Sequence, residues 1–409
     1  MRGMDTTDER DRAAASPPRR PGGIPRGLAR SGPVLFSYGF RPFFLGGGLW
    51  AVAAMALWLA ALAGAMTPGG AYGAANWHMH EMLFGFAPAV LAGFLMTSVP
   101  NWTGRMPVSG PPLMALVALW LAGRLMLTVP LNAPWLAVGV EALFLPVMAA
   151  VFLAEIVAGR KWRDLRIMGL MGVIALANIG FHAAVLGGGD PRIAARAGVA
   201  GYVALILIVG GRLTPSFTRN WLARNRHPAR PAPADRVDAI TVAVSAAALA
   251  LWVIWPAGAA TALAGLAAAA LNLWRLVRWQ GWHVAEPTVL ALHGGYLMVA
   301  LGFAATAAAV PGWISPAAAL HVFAIGAIGG EMLAVMTRAS RSHAGAATEA
   351  DGIATASFIA IMVAAVARMA ADLLAHNALV TVAGLAWIAA FGLFVLGHAR
   401  LLAAVRRDR

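Results

Sequence analysis

An all-α protein that crosses a membrane many times is the fold class that the sequence predicts. Hydrophobic residues make up 60% of the 409 residues, charged residues only 12%, and the mean hydropathy is +0.73. A soluble domain carries about twice that share of charged residues. The apolar runs are long and do not alternate with polar residues, which excludes an outer-membrane barrel and favours membrane-spanning helices.

About twelve apolar segments are long enough to cross a bilayer as helices. They centre on residues 43–64, 80–99, 112–129, 134–157, 166–187, 193–212, 238–256, 259–277, 287–309, 317–337, 353–374 and 378–400. The seventh and eighth segments are Ala-rich and are separated only by Pro256-Ala-Gly258, which also fits a tight helical hairpin. We therefore expect one transmembrane helical domain over residues 34–402.

The two ends of the chain have a different composition. Residues 1–33 are rich in Arg, Asp, Pro and Gly and contain no apolar run, so we expect a disordered basic tail. Residues 403–409 form a short basic tail. Most Arg residues, from both tails to Arg105 and Arg338, fall on one side of the predicted bundle, and the opposite loops lack Lys and Arg except for Arg192 and Arg196. The positive-inside rule then predicts that both termini are cytoplasmic.

Charge and cysteine content narrow the possible functions. The net charge of +14 is scattered over short loops rather than gathered on one surface, so nucleic acid is not an expected partner, whereas a lipid bilayer is. The chain has no Cys, which excludes thiolate-ligated haem, iron–sulfur clusters held by Cys and Cys-based copper sites. Any metal must be held by His, Met, carboxylate or backbone. No carboxylate pair, nucleophile triad or phosphate loop is evident, so the sequence assigns no enzymatic reaction.

The second predicted span, within Trp77–Arg105, carries the most informative residues. His78, His80 and Glu81 lie at the start of this span. Ionisable groups at that depth in a membrane are energetically costly and usually have a partner. Imidazole is the commonest metal ligand, so two His and a Glu within four residues favour a metal or tetrapyrrole site. The alternative is a polar, solvated start of a helix.

Four His residues on three predicted helices share one depth near the outer end: His78, His80, His182 and His321. Residues two apart on a helix point about 200° from each other, so His78 and His80 cannot both face one metal if the helix is regular. They serve two centres, or one of them supports the other. Asn178 lies four residues before His182 on the same helix face, where it orients that imidazole or forms a core pair with it.

Other polar residues within the spans have more than one interpretation. We expect Arg124 to pair with Glu141, and Arg368 with Asp372. Glu331 has no evident local partner and is either a proton-path group or the partner of an Arg from another helix.

His293 and His343 lie toward the cytoplasmic side and are further ligand candidates. Arg212 and Arg338 end spans near the same side, and they either mark topology or bind an anionic group such as a haem propionate.

A short pattern recurs at the ends of the second, sixth and tenth spans. The three stretches would all lie at the cytoplasmic face, four spans apart: Thr97-Ser-Val-Pro100-Asn-Trp-Thr103, Thr214-Pro-Ser-Phe-Thr218 and Thr337-Arg-Ala-Ser340. Three arcs of four helices is an architecture that this spacing suggests.

The chain resembles the NnrS family of bacterial inner-membrane proteins. The matching pieces are Arg41-Pro-Phe-Phe-Leu45, Trp77-His-Met-His-Glu81 through Gly104, Gly210-Gly-Arg-Leu-Thr-Pro-Ser-Phe-Thr218, Leu292-His-Gly-Gly-Tyr296, and His321-Val-Phe-Ala-Ile-Gly326 through Met336-Thr-Arg338 to His343-Ala-Gly345. Ala344 departs from the Thr that we expect in that last stretch.

The resemblance implies haem and copper, about twelve spans, and a role in nitric oxide metabolism or nitrosative stress. From the residues and the resemblance together, we expect His78, His80 and His321 to ligate redox metal, with His182 as a further metal ligand. A transporter is the competing hypothesis, since twelve spans with both termini inside is also a common transporter layout. The shared depth of the four His residues favours the first.

Overall fold

The computed structural model describes residues 32–129, 133–375 and 377–404 of the chain. Most of the expected N-terminal tail, the end of the C-terminal tail and His376, which the sequence places in an outer loop, lie outside these residues. Twelve described helices are long and apolar enough to cross a membrane, as the sequence predicts. They are α1 Phe40–Leu62, α2 Ala74–Thr103, α3 Pro111–Thr128, α4 Pro134–Ala158, α5 Trp162–Leu186, α6 Arg192–Arg224, α7 Arg236–Ile254, α8 Ala259–His283, α9 Pro287–Ala309, α10 Pro316–His343, α11 Gly352–Leu373 and α12 Ala378–Ala403.

The loops define two ends of the bundle. We call the end with loops 63–73, 187–191 and 310–315 the outer end, and the end with loops 104–110, 225–235 and 344–351 the inner end. Two short 3₁₀ helices lie outside the spans, Val34–Phe36 before α1 and Gly70–Tyr72 before α2. Which end faces the cytoplasm stays a prediction from the Arg distribution.

Helices α2, α6 and α10 pack against one another inside the bundle. They are also long, with 30, 33 and 28 residues, which leaves room for interruptions of regular α-helix. Each contains a π-helical segment: Glu81–Phe86 in α2, Ile206–Gly210 in α6 and Val322–Gly329 in α10. The three π segments are four spans apart, which is the spacing of the short sequence pattern at the ends of the same helices.

The π segments leave backbone carbonyls that the helix itself does not satisfy, and side chains of neighbouring helices donate to them. Trp120 Nε1 donates to the Gly85 carbonyl at 2.9 Å and Tyr202 Oη to the Leu83 carbonyl at 3.0 Å. π-Bulges are frequent at functional sites because they redirect side chains. In α2, the π segment begins at Glu81, directly after the two candidate His residues.

The Ala-rich helices α7 and α8 form a hairpin held together by polar contacts. Arg275 Nε donates to Asp238 Oδ1 at 2.6 Å, and Asn272 Nδ2 to Ser245 Oγ at 2.8 Å. Polar contacts between small-residue helices are a usual source of helix association in membranes, where the hydrophobic effect between helices is weak.

Candidate metal and cofactor sites

His80, Glu141 and His182 form a compact group at the outer end. Each offers one ligand atom, and these atoms all lie within 4.8 Å of one another. They come from α2, α4 and α5, and each is at most 2% exposed. Three such groups buried in an apolar bundle are costly unless they satisfy one another or bind an ion, so this group is a candidate metal site.

One carboxylate oxygen is the focus of the group. Glu141 Oε2 accepts from His182 Nε2 at 2.7 Å and from Asn178 Nδ2 at 2.9 Å, and His80 Nε2 lies 3.4 Å from it. Asn178 Oδ1 faces His80 Nε2 at 3.0 Å. Asn178 therefore orients His80 and Glu141, whereas the sequence had suggested His182 as its partner.

The Nδ1 atoms of His80 and His182, which point away from Glu141, also have polar partners. His80 Nδ1 lies 3.1 Å from Glu81 Oε1, and Tyr72 Oη is hydrogen-bonded to His182 Nδ1. Because His182 Nε2 carries the proton that faces the Glu141 carboxylate, Nδ1 is the acceptor and the Tyr72 hydroxyl is the donor. Burial and the nearby Glu141 raise the pKa of this hydroxyl, so it keeps its proton. Polar partners on the far nitrogen are the usual support of metal-binding His residues, because they fix which nitrogen faces the metal.

Arg124 balances the carboxylates. Its Nη2 lies 2.5 Å from Glu141 Oε1 and its Nη1 3.2 Å from Glu81 Oε2, so the predicted Arg124–Glu141 pair is confirmed and has a second carboxylate. Both nitrogens of His80 face acceptor oxygens, which an imidazolium satisfies fully. Two carboxylates, one guanidinium and one imidazolium leave no net charge. Gly85 is required here, because a side chain at that position would overlap the Arg124 guanidinium.

A second site lies beside the first and faces the centre of the bundle. It is a cavity of about 650 Å³, the outer cavity, lined by α1, α2, α6, α7 and α9–α12, and both His78 and His321 line it. The volume falls in the range of small-molecule and cofactor pockets. The His78 ring stacks on Trp58 with centroids 4.5 Å apart, and its Nδ1 is buried with no hydrogen-bond partner in the described part of the chain.

His321 is fixed by its own helix. Its Nδ1 donates to the Ala317 carbonyl at 2.7 Å, which assigns the proton to Nδ1 and leaves Nε2 with a free lone pair. Arg192, Arg196 and Arg368 line the same cavity, as does Asp190, whose Oδ2 lies 2.8 Å from Arg192 Nε. A wall with two imidazoles, aromatic rings and guanidinium groups suits a flat, apolar ligand that carries carboxylates.

The structure thus divides the four predicted outer His residues into two pairs. His80 and His182 are in contact, with ring centroids 4.7 Å apart, while His78 and His321 share the outer cavity. His78 and His80 point to different sites, as the helix geometry predicts. Both sites therefore include one His from the Trp77–Glu81 segment.

The other predicted site residues lie elsewhere. His293 Nε2 is hydrogen-bonded to Thr218 Oγ1 at 2.9 Å, and the His343 ring packs 5.4 Å from the Phe40 ring near the inner end. Arg338 stacks on Phe217 at 3.9 Å and lies 3.8 Å from Glu286 Oε2. Arg212 is exposed. None of these four lines the outer cavity or belongs to the His80 group.

Sequence reasoning missed several residues of the two sites. Arg192 and Arg196 were visible as the exception to the positive-inside pattern, and this signal marks the cations of the outer cavity. Arg368 was expected to form an ion pair with Asp372. Asp372 instead accepts hydrogen bonds from Ser315 N at 2.8 Å and Ser315 Oγ at 2.5 Å, and Arg368 lines the cavity. Tyr72 sits in a loop and gave no sequence signal.

Fold and sites together define a class: a polytopic helical membrane protein with a buried histidine–carboxylate group beside a histidine-lined cavity. The chain belongs to the NnrS protein family, whose model matches residues 34–406. That family is associated with the nitric oxide response. A comparison with curated proteins finds no match.

Proposed function

We propose that this chain is a haem- and copper-binding protein of the bacterial inner membrane that acts in nitric oxide metabolism or the nitrosative stress response. One observation carries the proposal. The short segment His78–Glu81 places His78 at the outer cavity, which His321 also lines, and His80 in the buried polar group, where it contacts His182. Two adjacent His-paired sites on a chain without Cys are a basis for two redox centres.

The outer cavity fits haem. His78 and His321 would hold the iron, since neutral imidazole is a common haem ligand and His321 has its Nε2 free. Arg196 and Arg368 would bind the propionates with their fork-shaped donors, whereas Arg192 is paired with Asp190. When bound, haem would supply a one-electron redox couple. The protein contributes the apolar walls, the stacked Trp58 and the cations.

The polar group fits copper. His80, His182 and Glu141 would offer two imidazole nitrogens and one carboxylate oxygen, a donor set that suits Cu(II), and binding would release the protons that the two Nε2 atoms carry in the metal-free site. Glu81 and Tyr72 hold the two imidazoles so that both Nε2 atoms face Glu141. When bound, copper supplies a one-electron redox couple close to the outer cavity.

The test is to measure haem and copper in purified protein and in His variants. We expect a Soret band and about stoichiometric copper in the wild type. His78→Ala and His321→Ala should lower haem and spare copper, while His80→Ala and His182→Ala should lower copper. His293→Ala is the matched control, because it also removes a buried, hydrogen-bonded His but lies outside both sites.

The pattern of loss decides the outcome. Full haem retention in both the His78 and His321 variants would remove the haem assignment, and full copper retention in the His80 and His182 variants would remove the copper assignment. A wild-type protein without haem or copper would refute the proposal and favour a transporter, for which the outer cavity would be the substrate site.

A further inference from the structure

Glu331 is a buried carboxyl group that neither proposed site uses. It lies in α10, is 5% exposed, and its Oε1 has no hydrogen-bond partner among residues 32–129, 133–375 and 377–404. Gly295 makes room for it, because a Cβ at that position would lie 3.0 Å from Glu331 Cγ and 3.2 Å from its Oε1. An ionised carboxylate in this position would be very costly, whereas a protonated acid is tolerated.

The charged and titratable groups around Glu331 are engaged with other partners. Tyr296 Oη, on α9, donates to Asn272 Oδ1 at 2.7 Å and accepts from Arg275 Nη1 at 2.8 Å. Arg275, on α8, is ion-paired with Asp238 at 2.6 Å and also donates to the Leu207 carbonyl. His293, one turn before Tyr296, bonds to Thr218. Within the described part of the chain no Arg pairs with Glu331, so the alternative of an Arg partner from another helix is not found there.

Glu331 lines a small cavity next to the outer one. This inner cavity has a volume of about 90 Å³ and is otherwise lined mainly by apolar side chains. Ile328 of α10 lines both cavities. His321, Ile325 and Ile328 of α10 line the outer cavity, and Ile328 and Glu331 line the inner one, so α10 connects a candidate haem ligand with the buried acid.

We propose that Glu331 is a proton-exchange site that serves the outer cavity: it carries a proton as a neutral carboxylic acid, and it loses or regains that proton as the charge in the outer cavity changes. In the exchange, the Glu331 O–H bond breaks and the proton leaves to water, and the reverse step restores the acid. The link to the outer cavity rests on the proposed function, because it needs a redox-active group there. The protonated state of Glu331 does not.

The first experiment tests the protonated acid without any cofactor. Dicyclohexylcarbodiimide is an apolar reagent that adds to protonated carboxyl groups in membrane proteins, and peptide mass spectrometry locates the adduct. We expect labelling of Glu331 near neutral pH and its loss in Glu331→Gln. Glu286 is the matched control: it is equally buried, at 6%, but accepts from Thr288 N and Val289 N, so it should stay unlabelled.

The second experiment tests the link to the outer cavity in haem-loaded protein. The midpoint potential of the haem should fall with rising pH in the wild type, and Glu331→Gln should flatten this dependence while Glu286→Gln retains it. Glu331→Asp, which keeps the acid, should restore part of it.

The outcomes separate the two proposals. An unlabelled Glu331 in a haem-containing protein would overturn the present inference and leave the proposed function intact. A labelled Glu331 in a protein without haem would overturn the proposed function and keep the buried acid. A pH dependence unchanged in Glu331→Gln would show that the acid does not serve the outer cavity.

Discussion

Replacing Glu141 by Gln should destabilise the bundle far more than the same change at an exposed ion pair. Glu141 is 1% exposed and holds together Arg124, Asn178 and His182, with contacts of 2.5, 2.9 and 2.7 Å. Gln has the same shape but no charge, and its amide presents donors to groups that are themselves donors. Arg124 and the His80 imidazolium then share one carboxylate, Glu81, instead of two.

The magnitude follows from the burial of the pair. Removing one partner of a buried ion pair costs about 3–5 kcal/mol because the other charge is left uncompensated. At about 1.4 kcal/mol per factor of ten, this corresponds to a change of roughly a hundredfold to a few thousandfold in the unfolding equilibrium. The assay is unfolding of metal-free protein by titration with a denaturing detergent, followed by circular dichroism.

Glu155→Gln is the matched control. Glu155 accepts from Arg105 Nε at 2.5 Å, but these side chains are 24% and 48% exposed. An exposed pair contributes only about 0–1 kcal/mol, so this variant should unfold almost like the wild type. The double variant Arg124→Gln/Glu141→Gln should cost less than the sum of its single variants, because both charges are removed together. Equal destabilisation by Glu141→Gln and Glu155→Gln would refute the account of a buried, mutually dependent charge cluster.

Three other predictions concern topology, cofactor carboxylates and pH. Reporter fusions after Gly70 and after Arg163 should report opposite sides of the membrane, and the same compartment for both would contradict the predicted orientation. Arg196→Lys should lower haem content, because Lys cannot make a bidentate contact with a propionate. Arg212→Lys and Arg338→Lys should leave haem content unchanged. The reverse pattern of haem content would place the propionates at the inner end. Asp351 caps α11, and hydrogen bonds from Ala354 N and Arg341 hold the pKa of its carboxyl below the ordinary value. Its stabilisation is therefore present above the unfolded-state pKa and is lost as pH falls through the folded-state pKa. Asp351→Ala should cost about 1 kcal/mol at neutral pH and little in acid, measured as detergent stability against pH, and an equal cost at both pH values would contradict this.

The sequence determined the features of this protein that depend on neighbouring residues in the chain. The number of spans follows from local hydropathy and the length needed to cross a bilayer. The divergence of His78 and His80 follows from the rotation per residue in a helix. The Arg124–Glu141 pair followed from equal depth on consecutive spans, because charges in an apolar layer must find a partner nearby.

Tertiary structure alone decided which predicted residues meet. Equal depth placed four His residues in one layer, but only the packing of the helices paired His80 with His182 and His78 with His321. Hydropathy does not predict which helices are neighbours in the bundle, since every one of them is apolar on the lipid side. The π segment of α2, the approach of Tyr72 from a loop and the presence of Arg368 at the outer cavity depend on that lateral order, and for this reason the linear pattern did not contain them.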